Sequence, residues 1–454
     1  MSNKRYFGTD GIRGVAGRPP LDPATVYAVG LALGDEQIAR GSGAGTVVMG
    51  EDTRESSAAI AAQLAAGLEA RGFRVAHAGV LPTPGVAYLA ASGEFCVGVM
   101  ISASHNPYQD NGIKIFGAGG YKLPDEDEAT IEAGIETYRN HRPATPARLQ
   151  AAPELRAAYV AHLAERFQYT DFSALRVVVD CGHGAASSVI AELCARLGLR
   201  ADVLAACPDG RNINAGVGAL HPRAMAEQVR ERGADAGVSL DGDADRAILA
   251  DAAGNIVDGD GVLLLAAREL QSSGHLQPAV VVGTVMTNFG LEKALSAEGI
   301  RLERTAVGDK YVLERMQASG ARLGGEPSGH VIFAAEATTG DGLLTALHCF
   351  DLMARRQSSL RALCQGWQAL PQKIENVRVA HKVPLKELEE VQAAIQRAEV
   401  EFQGSGRVLV RYSGTEALAR VMVEAADAEA VARHTQAIAE ALRREIGVRT
   451  AAGS

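Results

Sequence analysis

TVVMGEDTRESSAAIAAQLAAGLEARGFRVAHAG, residues 46–79, holds one complete unit of the fold. TVVMGED (46–52) is a short β-branched and apolar run. SSAAIAAQLAAGLEARG (56–72) reads as a helix that closes on Gly72, and FRVAHAG (73–79) returns to strand character. Strand, helix and strand in such close succession are the signature of an α/β protein. Further along, FCVGVMISAS (95–104) reads as another strand that delivers its last residues into HNPYQDNG, a loop rich in turn formers.

The helix-to-strand junction recurs in AELCARLGLRADVL (191–204) and KALSAEGIRLERT (293–305). Gly72, Gly198 and Gly299 each fall where a helix C-cap needs a left-handed residue. Any α/β protein reuses this turn, but recurrence about every hundred residues predicts three related α/β domains. The C-terminal stretch differs. KIENVRVAHKV, LKELEEVQAAIQRAEV, GRVLVRYS, RVMVEAA and DAEAVARHTQAIAEALRREI give a β-α-β-β-α order, expected to form a short antiparallel sheet with helices on one face. The expected boundaries divide the chain into 1–152, 153–252, 253–370 and 371–454.

At 454 residues the chain is too long for a single core. An apolar fraction of 47% with 22% charged residues is that of a soluble globular protein. The net charge of -9 argues against nucleic acid or an anionic membrane as partner, while leaving room for a locally basic anion site. The cysteines at 96, 181, 194, 207, 349 and 364 form no C-x-x-C pair, which suits reduced thiols better than disulfides or zinc. No apolar run opens the chain or approaches the roughly 20 residues that cross a bilayer, so a cytoplasmic location is expected.

DGDADR (241–246) is the sharpest motif. Asp241, Asp243 and Asp245 close the apparent strand ADAGVSL, and period-two alternation would turn all three carboxylates toward one point. Carboxylates that close repel unless a cation lies between them, and an all-oxygen set favours Mg²⁺ or Ca²⁺. An EF-hand loop would need Gly at its sixth position and Glu at its twelfth, where this chain has Arg246 and Ala252. The competing reading is a solvated acidic turn, and the adjoining Arg246 weighs against it.

In ISASHNPYQDNGIKIF (101–116), Ser104 sits at the strand-to-loop junction before His105, and Lys114 can return to the same pocket ten residues later. No G-x-S-x-G elbow surrounds Ser104, which argues against a serine hydrolase. RYSGTEALAR (411–420) offers Arg411, Ser413, the N–H groups of Gly414 and Thr415, and Arg420, a mixture suited to a phosphate dianion. GGEPSGH (324–330) offers Glu326 and Ser328 to sugar hydroxyls, and each of these two loops taken alone reads equally as a plain turn. GHGAAS (182–187) imitates part of a dinucleotide fingerprint but lacks the rest, and there is no P-loop.

In this order, over essentially the whole chain, the motifs resemble the α-D-phosphohexomutase superfamily. RYFGTDGIRG (5–14), the double serine of ISASHNP and the glycine of RYSGTE are most similar to its bacterial amino-sugar branch. The resemblance implies an α/β protein of three related domains plus a C-terminal α+β domain around a central cleft. These would be a phosphoserine domain (1–152), a metal-binding domain (153–252), a sugar-binding domain (253–370) and a phosphate-binding domain (371–454). The phosphoserine falls on Ser104 and not on Ser102. Asp241, Asp243 and Asp245 would hold Mg²⁺ with Ser104 as a further ligand. Arg13, Lys114 and His105 would line the transfer site, with Lys114 and Arg246 assisting proton transfer or charge neutralisation. Glu326 and Ser328 would grip the sugar, and Arg411, Ser413, Gly414, Thr415 and Arg420 the phosphate that is not reacting.

The implied reaction interconverts glucosamine 6-phosphate and glucosamine 1-phosphate through a 1,6-bisphosphate, towards UDP-N-acetylglucosamine, with a hexose 1,6-bisphosphate as priming activator. The partner is a small phosphosugar, with neither nucleic acid nor membrane involved and a homodimer left open. Two departures stand out: Pro327 where the branch commonly has Gln, and Glu-Ala-Leu (416–418) where Glu-Pro-Leu is usual. Neither removes a ligand. The rival readings are a mutase for glucose or mannose phosphates and a non-catalytic sugar-phosphate-binding protein.

Overall fold

The structure is a computed structural model that describes residues 5–43, 45–413 and 416–448. It divides into two compact units, one of residues 1–286 with 300–365 and the other of residues 287–299 with 366–454.

The first unit contains three sheets that share one topology. In each, the first strand of a parallel trio lies in the centre: Thr46–Glu51, Arg176–Asp180 and Val280–Thr284. The second lies on one side (Arg74–Val80, Arg200–Leu204, Arg301–Thr305) and the third on the other (Val97–Ile101, Ala236–Leu240, Leu323–Gly325). A fourth strand then returns antiparallel to the third: Asp110–Gly117, Ala247–Asp251 and Val331–Phe333. The repeat predicted from the glycine turns is therefore a repeat of topology. Gly72, Gly198 and Gly299 all have positive φ, at 86°, 66° and 75°, where a Cβ would be strained.

This topology decides where the chemistry sits. The connection from third to fourth strand holds Ser104 in the first sheet, Asp241, Asp243 and Asp245 in the second, and Glu326 in the third. The first sheet continues into the hairpin Phe7–Gly8 and Gly11–Val15, which sets Arg13 opposite Gly112. Its core is built from Val47, Met49, Val97, Val99 and Ile101 under Ile60, Leu64 and Leu68 of the helix Ser57–Glu69. That helix meets Pro23–Ala39 so closely that a Cβ on Gly30 would lie 2.2 Å from the Leu64 carbonyl oxygen. The strand expected over 95–104 ends at Ile101, which leaves Ser102 to Ser104 in the loop.

In the second unit the predicted β-α-β-β-α order is observed: Gln372–Arg378, Glu389–Phe402, Arg407–Tyr412, Leu418–Glu424 and Ala428–Ile446. The sheet is antiparallel with Leu418–Glu424 in the middle. Alternate residues Ala419, Val421 and Val423 pack against Val391, Ala398, Ile438 and Leu442 of the two helices, so both cover one face.

Among the described residues no helix is long and apolar enough to cross a membrane. All six cysteines are unpaired.

Candidate active site

Asp241, Asp243 and Asp245 are buried, with one carboxylate oxygen of each inside a 4.8 Å sphere of mutual distances. The predicted convergence occurs, but strand pleating does not produce it. The strand stops at Leu240, and residues 241–246 turn, with the Ala244 N–H donating to the Asp241 carbonyl and Ala244 at φ 56°. The loop GHGAAS supports this turn: the Ala185 N–H donates to the Gly242 carbonyl at 2.8 Å, and a Cβ on Gly184 would lie 2.3 Å from that oxygen.

Asp243 Oδ1 and Asp245 Oδ1 are buried without a hydrogen-bond donor. Buried anionic oxygens without donors, in a cluster of three carboxylates, are what a hard cation satisfies, so the donor set fits Mg²⁺. Burial, then Asp245 and Asp243, hold the Asp241 carboxyl well above the usual carboxylate range. Burial would also raise Asp245, but Lys114 and His330 outweigh it and hold that carboxyl well below its ordinary value.

Ser104 lies against this cluster. Its Oγ donates to Asp241 Oδ2 at 2.6 Å and sits 3.2 Å from His105 Nδ1. Ser104 adopts φ 53°, a left-handed conformation rare outside glycine. Ser102, by contrast, has its hydroxyl engaged: Oγ donates to Asp52 Oδ2 at 2.7 Å and accepts from the Ser104 N–H at 2.9 Å. Burial, then Arg246 and Arg13, push the His105 imidazole down to about 4, so it is neutral at ordinary pH.

Lys114 returns as predicted, but beneath the site. Only 1% exposed, its Nζ lies 2.8 Å from Asp243 Oδ2 and 3.2 Å from both Asp245 Oδ2 and Asp10 Oδ2. Burial would lower the ammonium, yet Asp10, Asp243 and Asp245 raise it well above its ordinary value. Arg13 pairs with Asp10 and donates to Asn106 Oδ1 at 3.3 Å. The Arg246 N–H donates to Asp241 Oδ1 at 3.2 Å. The Nε atoms of Arg13 and Arg246 are buried without an acceptor.

Arg13, His105, Asp245, Arg246 and Glu326 all line a cleft of about 480 Å³. Glu326 accepts from the Gly308 N–H at 3.0 Å and from Ser328 Oγ at 3.3 Å. Ser328 thus supports Glu326 and does not itself line the cleft.

The remaining predicted residues lie in the second unit. Arg411 and Arg420 stand opposite each other on paired strands, and burial followed by Arg420 lowers the Arg411 guanidinium. Facing cations of this kind are destabilising unless an anion joins them. Ser413 is buried nearby, its Oγ accepting from the Glu416 N–H at 3.3 Å and its carbonyl from Lys382 Nζ at 2.6 Å. Gly414 and Thr415 lie outside the described residues.

Residues without a motif signal also reach the site. Thr83 Oγ1 donates to Asp243 Oδ2 at 2.5 Å. Lys122 bridges Asp10 and Asp309, and Arg54 and Asn214 reach the backbone of the Ser104 loop. The Asp10-Gly11 and Gly308-Asp309 pairs are the sequence hints of turns that bring these carboxylates to Lys122.

Four family models match in succession, described as phosphoglucomutase/phosphomannomutase α/β/α domains I, II and III and the C-terminal domain, over residues 4–142, 157–254, 258–370 and 375–441. The chain belongs to the phosphoglucomutase/phosphomannomutase family. A protein of Koribacter versatilis named phosphoglucosamine mutase is 51% identical, with 98% of each chain covered. A phosphoglucomutase/phosphomannomutase family protein from Burkholderia thailandensis superposes with a TM-score of 0.78 at 25% identity, over 97% of this chain and 99% of that one. An Aspergillus fumigatus N-acetylphosphoglucosamine mutase, solved in complex with GlcNAc-6P and magnesium, shares the fold at 20% identity with a TM-score of 0.63, covering 96% of each chain. Family membership thus agrees with the superfamily expected from the motifs.

Proposed function

We propose that the protein interconverts glucosamine 6-phosphate and glucosamine 1-phosphate through a phosphoserine at Ser104. The observation that carries this reading is the Ser104 hydroxyl 2.6 Å from Asp241 within a buried carboxylate triad in which Asp243 Oδ1 and Asp245 Oδ1 lack donors. The 51% identity to a protein named phosphoglucosamine mutase supports the choice of amino sugar.

Asp241, Asp243 and Asp245 would hold Mg²⁺ together with an oxygen of phospho-Ser104. Bound there, the ion would neutralise charge on the phosphoryl oxygens. Phosphoryl transfer demands positioning and charge neutralisation above all. The Ser104 O–P bond breaks as a sugar hydroxyl oxygen bonds to phosphorus, and the proton that the hydroxyl gives up ends on Ser104 Oγ, leaving the 1,6-bisphosphate; after the sugar turns over, Ser104 Oγ takes back the other phosphate and its proton returns to the sugar oxygen. Lys114, held charged by its carboxylates, neutralises from below, while Arg13 and Arg246 present guanidiniums from the cleft wall. Neutral His105, 3.2 Å from Ser104 Oγ, lines the transfer site, where Lys114 and Arg246 assist proton transfer or charge neutralisation.

Glu326, braced by Ser328, contacts sugar hydroxyls. Arg411, Ser413, Gly414, Thr415 and Arg420 hold the phosphate that is not reacting. In this division of labour residues 1–152 carry the phosphoserine, 153–252 the metal, 253–370 the sugar and 371–454 the second phosphate. A hexose 1,6-bisphosphate primes the serine, and the enzyme works in the cytoplasm, where its unpaired cysteines stay reduced.

The test is a coupled assay with glucosamine 6-phosphate, Mg²⁺ and a hexose 1,6-bisphosphate. Turnover that requires all three is expected; no glucosamine 1-phosphate under these conditions refutes the reading.

A further inference from the structure

Ser104 is held in its left-handed conformation by a side chain that does not line the cleft. The Arg54 guanidinium lies under the loop, where Nη2 donates to the carbonyls of Ser104 and Asn106, both at 2.8 Å. Nη1 donates to the carbonyl of Asp110 at 3.0 Å and to that of Pro107. Nε donates to Asp52 Oδ2 at 2.8 Å, and both side chains are 0% exposed.

Asp52 also reaches the loop from its N-terminal side, through the Ser102 hydroxyl to the Ser104 N–H. Asn214, carried by the second sheet's segment, donates from Nδ2 to the carbonyls of Ser104 at 3.0 Å and Asn106 at 3.3 Å. The N–H of Ser104 is thus fixed once and its carbonyl twice. A strained backbone of this kind persists only where its surroundings over-determine it. Without these bonds the residue would relax toward β or right-handed conformations and swing Oγ away from Asp241. A planar fork of five donors can serve four carbonyls and a carboxylate at once; a lysine ammonium, with three donors at one point, cannot.

We propose that Arg54 is a positioning residue for phosphoryl transfer, locking the Ser104 loop through its carbonyls so that Ser104 Oγ stays aimed at the aspartate triad. Asp52, Ser102 and Asn214 complete the lock. Ser102 is then part of the lock and not a second phosphate acceptor. The inference rests on the phosphoserine reading above.

The test compares wild type with Arg54→Lys, Ser102→Ala and Asn214→Ala, each as the full chain phosphorylated with glucose 1,6-bisphosphate. Misplacing a reacting atom by about an ångström costs about a hundredfold in rate, so Arg54→Lys is expected to lower kcat by about that factor. KM for glucosamine 6-phosphate stays near wild type, because none of the residues assigned to the sugar touches Arg54, while Mg²⁺ binding weakens as Ser104 leaves the triad. The ³¹P resonance of the phosphoserine shifts, which a loss of stability alone would not cause. Ser102→Ala removes the link from Asp52 to the Ser104 N–H, and Asn214→Ala removes the two Nδ2 bonds to the loop carbonyls; each lowers kcat by about tenfold, on the order of one net hydrogen bond.

A folded Arg54→Lys enzyme with wild-type kcat and an unmoved ³¹P resonance overturns the proposal. If Arg54→Lys does not fold, wild-type kcat in both Ser102→Ala and Asn214→Ala overturns it instead. A wild type that takes up no phosphate refutes the phosphoserine reading itself and the inference with it, whereas a wild type that turns over beside equally active variants refutes the inference alone.

Discussion

Replacing Asp243 by Asn separates metal binding from folding. Asp243 is fully buried, and its two oxygens have different work. Oδ2 accepts from Lys114 Nζ at 2.8 Å and from Thr83 Oγ1 at 2.5 Å, whereas Oδ1 is buried without a donor. An asparagine fits the same space. Because Lys114 can only donate, the amide oxygen must take the Oδ2 position, which turns the NH₂ group toward the triad. A cation there loses one anionic ligand and meets a donor in its place. Removing one partner of a buried charge pair costs about 3–5 kcal/mol. Taking the lower end, Mg²⁺ affinity should fall by at least about a hundredfold. Without metal the substitution relieves repulsion, since Asp243 is among the groups that raise the Asp241 carboxyl. It also removes one of the three carboxylates beside buried Lys114, so metal-free Asp243→Asn should stay folded, with an unfolding temperature near that of the metal-free wild type, while Mg²⁺ should stabilise only the wild type appreciably. Calorimetric titration with Mg²⁺ and thermal unfolding in EDTA read the two effects. An affinity within about threefold of wild type, well under the roughly 1.4 kcal/mol of a tenfold change, would refute the ligand assignment. A variant unfolded in EDTA where the wild type is folded would show the aspartates to be structural.

Asp341 provides a pH test away from the metal. Burial pushes its carboxyl from 3.8 up to about 6, against the pull of hydrogen bonds from the Leu344 N–H and Tyr159. A raised carboxyl binds its proton more tightly when folded, so its contribution is full below about pH 4 and is lost as the pH rises through about 6. At 1.36 kcal/mol per pKa unit this is about 3 kcal/mol, and Asp341→Asn, which keeps the helix cap, should flatten that part of a denaturation-against-pH curve. Arg420→Gln should raise KM for the phosphosugar about tenfold or more through loss of a charge-assisted contact, without lowering the unfolding temperature, because Arg411 loses a like-charged neighbour. Steady-state kinetics and a thermal scan check both parts. Glucosamine phosphate should be preferred over glucose or mannose phosphate by at least about tenfold in kcat/KM, or about 1.4 kcal/mol. Equal efficiencies would remove the amino-sugar assignment and leave the phosphoserine mechanism standing.

The repeated glycine turns made the α/β architecture legible, because a positive φ after a helix is a local demand that the residue type reveals. The Asp241–Asp245 cluster and the Ser104 loop were legible for a similar reason: chemistry concentrated within a few residues. What stayed hidden depends on contacts distant in sequence. Arg54 lies in the short step between the strand TVVMGED and the helix SSAAIAAQLAAGLEARG, where no motif marks it, yet its guanidinium is fully buried against residues some fifty positions away. Asn214 reaches Ser104 across 110 residues. GHGAAS lacks a full nucleotide motif, and its Gly184 leaves the space that Gly242 occupies. The expected pleat of the aspartates gave the right convergence by the wrong route, since the left-handed Ala244 is a property of the turn that no alanine announces.

The central claim is that Ser104, and no other residue, carries the phosphate. Full-length wild type, Ser104→Ala and Ser102→Ala should each be incubated with a hexose 1,6-bisphosphate and Mg²⁺, then digested and mapped by phosphopeptide mass spectrometry. One phosphate on Ser104 is expected in wild type and in Ser102→Ala, and none in Ser104→Ala, which should also lose nearly all turnover. A phosphopeptide that maps to Ser102, or a Ser104→Ala enzyme that still takes up phosphate and turns over, would contradict the account.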